Sequence, residues 1–232
     1  MLERILPAGV RSVHIRTDPP AAVLFPAEAA LVARAVARRR QEFATTRHCA
    51  RLALAELGVA PVPILPGVRG APIWPDGVVG SMTHCAGYRA AAVGHTSQVA
   101  GIGIDAEVHE PLPDGVLALV SSEGERAHLA ELDTARPRLA GRPRVHWERL
   151  LFSAKEAVYK VWSPRTGEWL GFEEAEVSFD PEGETFTARI LVPGPFAELT
   201  GRYLVEGGTV VTAIVVPASS PLAPSPPAPS PS

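Results

Sequence analysis

The stretch from Trp147 to Val161 constrains this chain more than any other. At about 100° per residue, Trp147, Leu150, Leu151, Ala154, Val158 and Val161 fall on one side of a helix, with Glu156 and Lys160 on roughly the opposite side. Such a helix has to lay its apolar face on a sheet or on other helices, and it offers an acid and a base elsewhere. Taken alone, the Glu156–Lys160 spacing is that of a solvated i,i+4 pair worth a few tenths of a kcal/mol. The rest of the chain decides whether it is more.

Around that helix the pattern alternates between strands and helices. Val13, Ile15 and Thr17 alternate within residues 10–18, and Pro19-Pro20 closes that strand. Pro26 suits a first helical turn, followed by helix from Ala27 to about Arg40. Thr45 or Thr46 caps a second helix running to about Leu57, which Gly58 stops. Residues 61–76, rich in Pro and Gly, form an ordered but irregular loop. Three strands, 77–84, 89–93 and 99–104, then make a meander. Helix returns within residues 111–133, where Ser122-Glu-Gly-Glu125 has capping-box spacing, and a polar link over 134–144 leads into the first-mentioned helix. Strands follow at 175–179, 185–191, 202–205 and 209–216, the last apolar enough to lie inside a sheet. This repeated plan predicts a mixed α/β (α+β) fold of two similar lobes, residues 1–108 and 109–216, with the boundary near 106–112. The Pro/Ala/Ser stretch 217–232 has no apolar periodicity and is expected to be a disordered tail.

Composition excludes several function classes. With 46% hydrophobic residues, 20% charged residues and a net charge of −3, the chain has no general surplus of positive charge for nucleic acid, so any basic site must be local. The amino terminus lacks the pattern of a secretion signal, and no apolar run is long enough for a membrane span. Cys49 and Cys85 form neither a disulfide framework nor a metal spacing, which fits reduced thiols in the cytoplasm.

Three groups of residues carry possible chemistry. Arg34, Arg38, Arg39, Arg40, Arg47 and Arg51 make the most basic stretch, either a solvated helix face or a phosphate clamp. In Gly101-Ile-Gly-Ile-Asp-Ala-Glu107, strand alternation sends Gly103, Asp105 and Glu107 to one face. Those two acids are either exposed at a strand end or paired around a hard cation such as Mg²⁺, which would need further ligands. His84, beside Thr83, ends a strand, where a histidine is packed, exposed or functional.

In order and spacing, Gly80-Ser-Met-Thr-His-Cys85, Gly101-Ile-Gly-Ile-Asp-Ala-Glu107 and Phe152-Ser-Ala-Lys-Glu-Ala-Val-Tyr-Lys160 resemble the 4'-phosphopantetheinyl transferases. The likeness is to the larger surfactin-type group and, within it, the branch of enterobactin synthase component D. Arg69-Gly-Ala-Pro-Ile-Trp-Pro75 and the helix holding Arg47 support it. The resemblance implies two pseudo-symmetric lobes with coenzyme A in the cleft between them. It also implies transfer of phosphopantetheine from coenzyme A to a serine of an acyl, aryl or peptidyl carrier protein, releasing adenosine 3',5'-bisphosphate. The carrier would belong to a polyketide or nonribosomal peptide synthase, a siderophore synthetase among them. One chain carrying both lobes is expected to act as a monomer.

The same resemblance implies residue roles. Asp105, Glu107 and Glu156 would hold Mg²⁺, with Glu156 taking the serine proton directly or through a water. Lys160 would meet the diphosphate, with Lys155 beside it. Thr83 and His84 would contact the 3'-phosphate end, Arg47 a phosphate, and Arg40 and Arg69 would add basic contacts. Thr83 stands where the family usually has serine, and Ala71 where the loop often has lysine. Two other readings of these residues are a non-catalytic domain binding carrier proteins or coenzyme A, and a Mg²⁺-dependent nucleotide phosphohydrolase.

Overall fold

The computed structural model describes residues 1–135 and 145–218. Strands β1 (Val10–Ile15), β2 (Val78–Cys85) and β3 (Tyr88–His95) form an antiparallel sheet in the order β1-β3-β2. Strands β4 (Val99–Val108), β5 (Ala175–Asp180), β6 (Thr185–Ile190), β7 (Glu198–Glu206) and β8 (Thr209–Pro217) form a second, in the order β4-β8-β7-β6-β5. The helices are α1 (Pro26–Leu31), α2 (Ala37–Glu56), α3 (Val116–Val120), α4 (Glu123–Thr134) and α5 (Trp147–Thr166).

The layers follow from which side chains alternate to which face. On β3, Ala91 and Val93 join Cys49, Ala50, Ala53 and Leu54 of α2, while Tyr88, Ala90 and Ala92 turn the other way. There they meet Ile102, Ile104 and Ala106 of β4 with Val211 and Ala213 of β8. The apolar side of α5 covers the remaining face of the larger sheet, with Leu150, Leu151, Ala154, Ala157 and Val158 fully buried. The order is therefore helix, sheet, sheet, helix, and β8, as its apolar sequence predicts, is an interior strand.

The meander expected through residues 77–104 ends at β3. Its third strand, β4, pairs with β8, so the division between sheets falls between β3 and β4. The other edge of β4 is closed by side chains of β2: the Ile104 amide donates to Ser81 Oγ and the Ala106 amide to Thr83 Oγ1, each at 3.1 Å. Hydroxyls thus satisfy an edge that would otherwise be bare.

The two helices expected over 27–57 are divided differently. Helix α1 stops at Leu31, and α2 runs unbroken from Ala37 through both threonines. Neither threonine caps a helix: Thr46 Oγ1 donates back to the Glu42 carbonyl at 2.7 Å, and Thr45 Oγ1 donates to Asp18 at 2.7 Å. The Ser122–Glu125 capping box forms as its spacing predicts. The first two residues of the expected tail are ordered: Pro217 closes β8 and the Ala218 amide donates to the Gln98 carbonyl. Residues 219–232, and 136–144 of the expected polar link, lie outside the described residues.

Candidate active site

Helix α5 reaches β4 because the strand has glycine where they cross. A Cβ on Gly103 would stand 2.0 Å from the Ala157 carbonyl oxygen, so no larger residue fits without moving one backbone. This approach brings Lys160 onto the strand, where Nζ donates to Asp105 Oδ1 at 2.8 Å and to the Ile104 carbonyl at 3.1 Å. The flank of the helix beside its core stripe therefore closes on the acidic end of β4.

Asp105 is buried. Its Oδ1 accepts from Lys160 and from the Thr83 hydroxyl, while Oδ2 has no hydrogen-bond partner among the described residues. Burial and the charge of Asp105 push the Glu107 carboxyl up to about 7, against the pull of the Arg149 guanidinium, whose NH1 donates to Glu107 Oε2 at 3.1 Å. Burial and Asp105 likewise raise the Glu156 carboxyl, and Lys160 draws it back. These acids repel one another in low-dielectric surroundings, which is the condition a bound cation relieves. Among the described residues, however, no three His, Cys, Asp or Glu side chains are gathered closely enough to form a ready-made cage. The donor set fits a hard cation that takes part of its shell from water or ligand oxygens.

Beside this acidic end lies a cleft of about 520 Å³. Arg39, Phe43 and Arg47 line it from α2, Arg69 to Pro72 from the loop, Ser81 and His84 from β2, and Glu156, Tyr159 and Lys160 from α5. Arg47 is buried, stacked over the Phe43 ring, with Nε donating to the Ile64 carbonyl at 3.0 Å. Desolvation lowers its pKa to about 10, so it stays charged at neutral pH. The loop is pinned at both ends. Trp74 Nε1 donates to the Gly80 carbonyl at 3.0 Å, and Arg69 Nε donates to the Gly167 carbonyl just past α5 at 2.9 Å.

Several residues expected to act together are separated. Neighbours on a strand point oppositely, so Thr83 faces β4 and holds Asp105, whereas His84 faces α2 and contacts Arg39 NH1 through Nε2 at 2.6 Å. Lys155 is turned away from the cleft: its ammonium is buried against Glu125 Oε2 at 2.8 Å and the Phe172 carbonyl at 2.7 Å. It borders a smaller cavity of about 100 Å³ with Tyr159 and Trp169. Arg40 donates to the Ala35 carbonyl and does not line the cleft, while Arg51 is tied to buried Glu28. The arginine that reaches the cleft beside His84 is Arg39, which sequence reasoning placed only in the general basic cluster. Its one signal is helical spacing: Arg39, Phe43, Thr46 and Arg47 share a face.

Comparison with known proteins points to one family. A model of the 4'-phosphopantetheinyl transferase N-terminal domain matches residues 27–94, and one of the 4'-phosphopantetheinyl transferase superfamily matches residues 101–214. The chain is 55% identical over 227 residues to the 4'-phosphopantetheinyl transferase Svp of Streptomyces mobaraensis, covering 94% of this chain and 90% of that one. It is 49% identical over 230 residues to the 4'-phosphopantetheinyl transferase PptT of Mycobacterium tuberculosis, covering 93% and 98%. Enterobactin synthase component D of Salmonella typhi is 31% identical over 141 residues, covering 61% and 55%. Among the described residues no helix is long and apolar enough to cross a membrane.

Proposed function

This chain belongs to the 4'-phosphopantetheinyl transferases, and from that premise we propose that its cleft holds coenzyme A and delivers phosphopantetheine to a carrier-protein serine at the Asp105–Lys160 end. The observation that carries the reading is the Lys160–Asp105 contact at 2.8 Å, which sets an ammonium and a buried carboxylate with one unpartnered oxygen beside a cleft walled by arginines. Arg39, Arg47 and His84 bind the phosphate groups at the α2 wall. Arg69 and the backbone of its loop flank the nucleoside.

Asp105, Glu107 and Glu156 are the residues that would hold Mg²⁺. Bound there, the cation supplies neutralising charge to the diphosphate. The chain's own groups do the remaining work. Glu156, whose carboxyl burial makes a better proton acceptor, takes the proton from the serine hydroxyl as it attacks phosphorus. Lys160 donates hydrogen bonds to the departing adenosine 3',5'-bisphosphate. Thr83 fixes the Asp105 carboxylate through its hydroxyl. Positioning by the two-sided cleft supplies the larger part of the rate, since in-line transfer requires little covalent chemistry from protein.

The protein acts as a cytoplasmic monomer on carrier domains of a polyketide or nonribosomal peptide synthase. Incubating a panel of apo carrier domains with coenzyme A and Mg²⁺ should add one phosphopantetheine to at least one of them by intact mass. No gain on any domain, or phosphate release from coenzyme A without a carrier, would sink the reading.

A further inference from the structure

A carboxylate stands just behind the wall that should attract phosphate. Glu42, on the α2 turn after Arg39, is buried, with Oε1 held by Arg38 Nε at 2.9 Å and near Arg89 NH2 at 3.6 Å. Its Oε2 lies 3.9 Å from His84 Nε2. Placed there it opposes anion binding, so its presence needs a physical reason.

The reason lies in the Arg39–His84 contact. A guanidinium has only donors, so with Arg39 NH1 at 2.6 Å the Nε2 of His84 must be the acceptor, and the ring is neutral with its proton on Nδ1. An arriving phosphate dianion also offers only acceptors, and a bare Nε2 lone pair faces it unfavourably. Arg39 can turn to the phosphate, but His84 contributes only after a proton has been added at Nε2. The charged groups around the ring are Arg39 and Glu42 from α2, Arg89 from β3 and Lys160 from α5. Three of these oppose an imidazolium. Among the described residues, Glu42 is the acid that favours it.

We propose that Glu42 is a positioning residue that acts through His84, keeping the ring able to take up a proton as the 3'-phosphate of coenzyme A enters the cleft. The proton comes from solvent and lands on Nε2, and Arg39, still protonated, redirects its N–H hydrogen bond from that nitrogen to a phosphate oxygen. No other bond changes. The proposal rests on the reading of the cleft as the coenzyme A site.

Calorimetric titration of the full chain with coenzyme A, without divalent cation and in buffers of different protonation enthalpy, counts the protons. Near pH 7, just above the ordinary histidine range, the unmodified protein should take up a measurable fraction of a proton per coenzyme A, and less with dephospho-coenzyme A. His84→Gln should remove the uptake. Glu42→Gln, which keeps an acceptor for Arg38, should move the uptake profile toward acid by about one pH unit, and Glu42→Asp should restore part of it. Binding without proton uptake, equal uptake with dephospho-coenzyme A, or an unshifted Glu42→Gln profile would overturn the proposal while leaving the functional reading intact. Failure of the unmodified protein to bind coenzyme A would remove both. The dephospho-coenzyme A arm needs no variant, so misfolding of a variant cannot shelter the idea.

Discussion

Gly103 and Ala157 touch backbone to backbone: a Cβ on the glycine would lie 2.0 Å from the alanine carbonyl oxygen. That contact fixes how far α5 sits above β4, and therefore whether Lys160 reaches Asp105. Gly103→Ala must separate the two elements. It should lower stability by about 1–3 kcal/mol and reduce transfer to carrier protein by more than the loss of folded protein explains. Gly101→Ala is the control, because its Cβ would meet Val161 Cγ1 at an ordinary 3.4 Å. Equal behaviour of the two variants in denaturant melts and turnover would refute this account of the glycines.

Lys155 and Lys160 lie on one helix but should differ in what their folded variants can still do. Lys155→Met leaves Glu125 buried without its cation, although the Ser122 and Val177 amides still donate to it. The cost should be about 3 kcal/mol or more, while the folded fraction still binds adenosine 3',5'-bisphosphate. Lys160→Met also strips a cation from a buried carboxylate, Asp105, so it should lose some stability as well, but its folded fraction should lose turnover. Urea titration paired with a carrier-loading assay separates the cases; a stable, inactive Lys155→Met would return that lysine to the chemistry.

Arg39 and Arg40 make a similar pair on α2. Arg39→Ala removes a cleft-lining guanidinium, and at about 1.5–3 kcal/mol for a charged hydrogen bond the apparent KM for coenzyme A should rise at least about tenfold. Arg40→Ala, which loses only a bond to the Ala35 carbonyl, should change it by less than about threefold. A larger effect at Arg40 would show that the basic wall is wider than the cleft geometry allows.

What the sequence disclosed and what it withheld divide along physical lines. The α5 stripe, the Asp105/Glu107 alternation and the Ser122–Glu125 cap are local periodicities, and each stands as read. Pairing choices are not local. Nothing in 99–108 says that β4 leaves β3 for β8, because either partner accepts the same apolar face. The direction of Lys155 depends on Glu125, thirty residues away. At five residues apart, it and Lys160 differ by about 140° around the helix, and spacing alone does not tell which one meets the ligand. The opposition of Thr83 and His84, by contrast, was available from strand alternation, and the resemblance to the family obscured it by grouping them.

The acidic end of β4 should make stability respond to pH and to metal. Glu107 is held at about 7 against an ordinary 4.5, so the folded chain keeps a proton that the unfolded chain releases. The stabilisation from this group is therefore complete below about pH 4.5 and is lost as pH rises through about 7, up to about 3 kcal/mol. Urea unfolding in the presence of a chelator should show the unmodified protein weakening between about pH 5 and about pH 8 relative to Glu107→Gln, whose amide does not titrate. Adding Mg²⁺ at the higher pH should recover the difference, because a cation favours the charged carboxylate that burial disfavours. Parallel pH profiles for the two proteins would remove Glu107 as the titrating group. If the unmodified protein gained nothing from Mg²⁺ where Glu107 is ionised, Asp105, Glu107 and Glu156 would not be the residues that hold it.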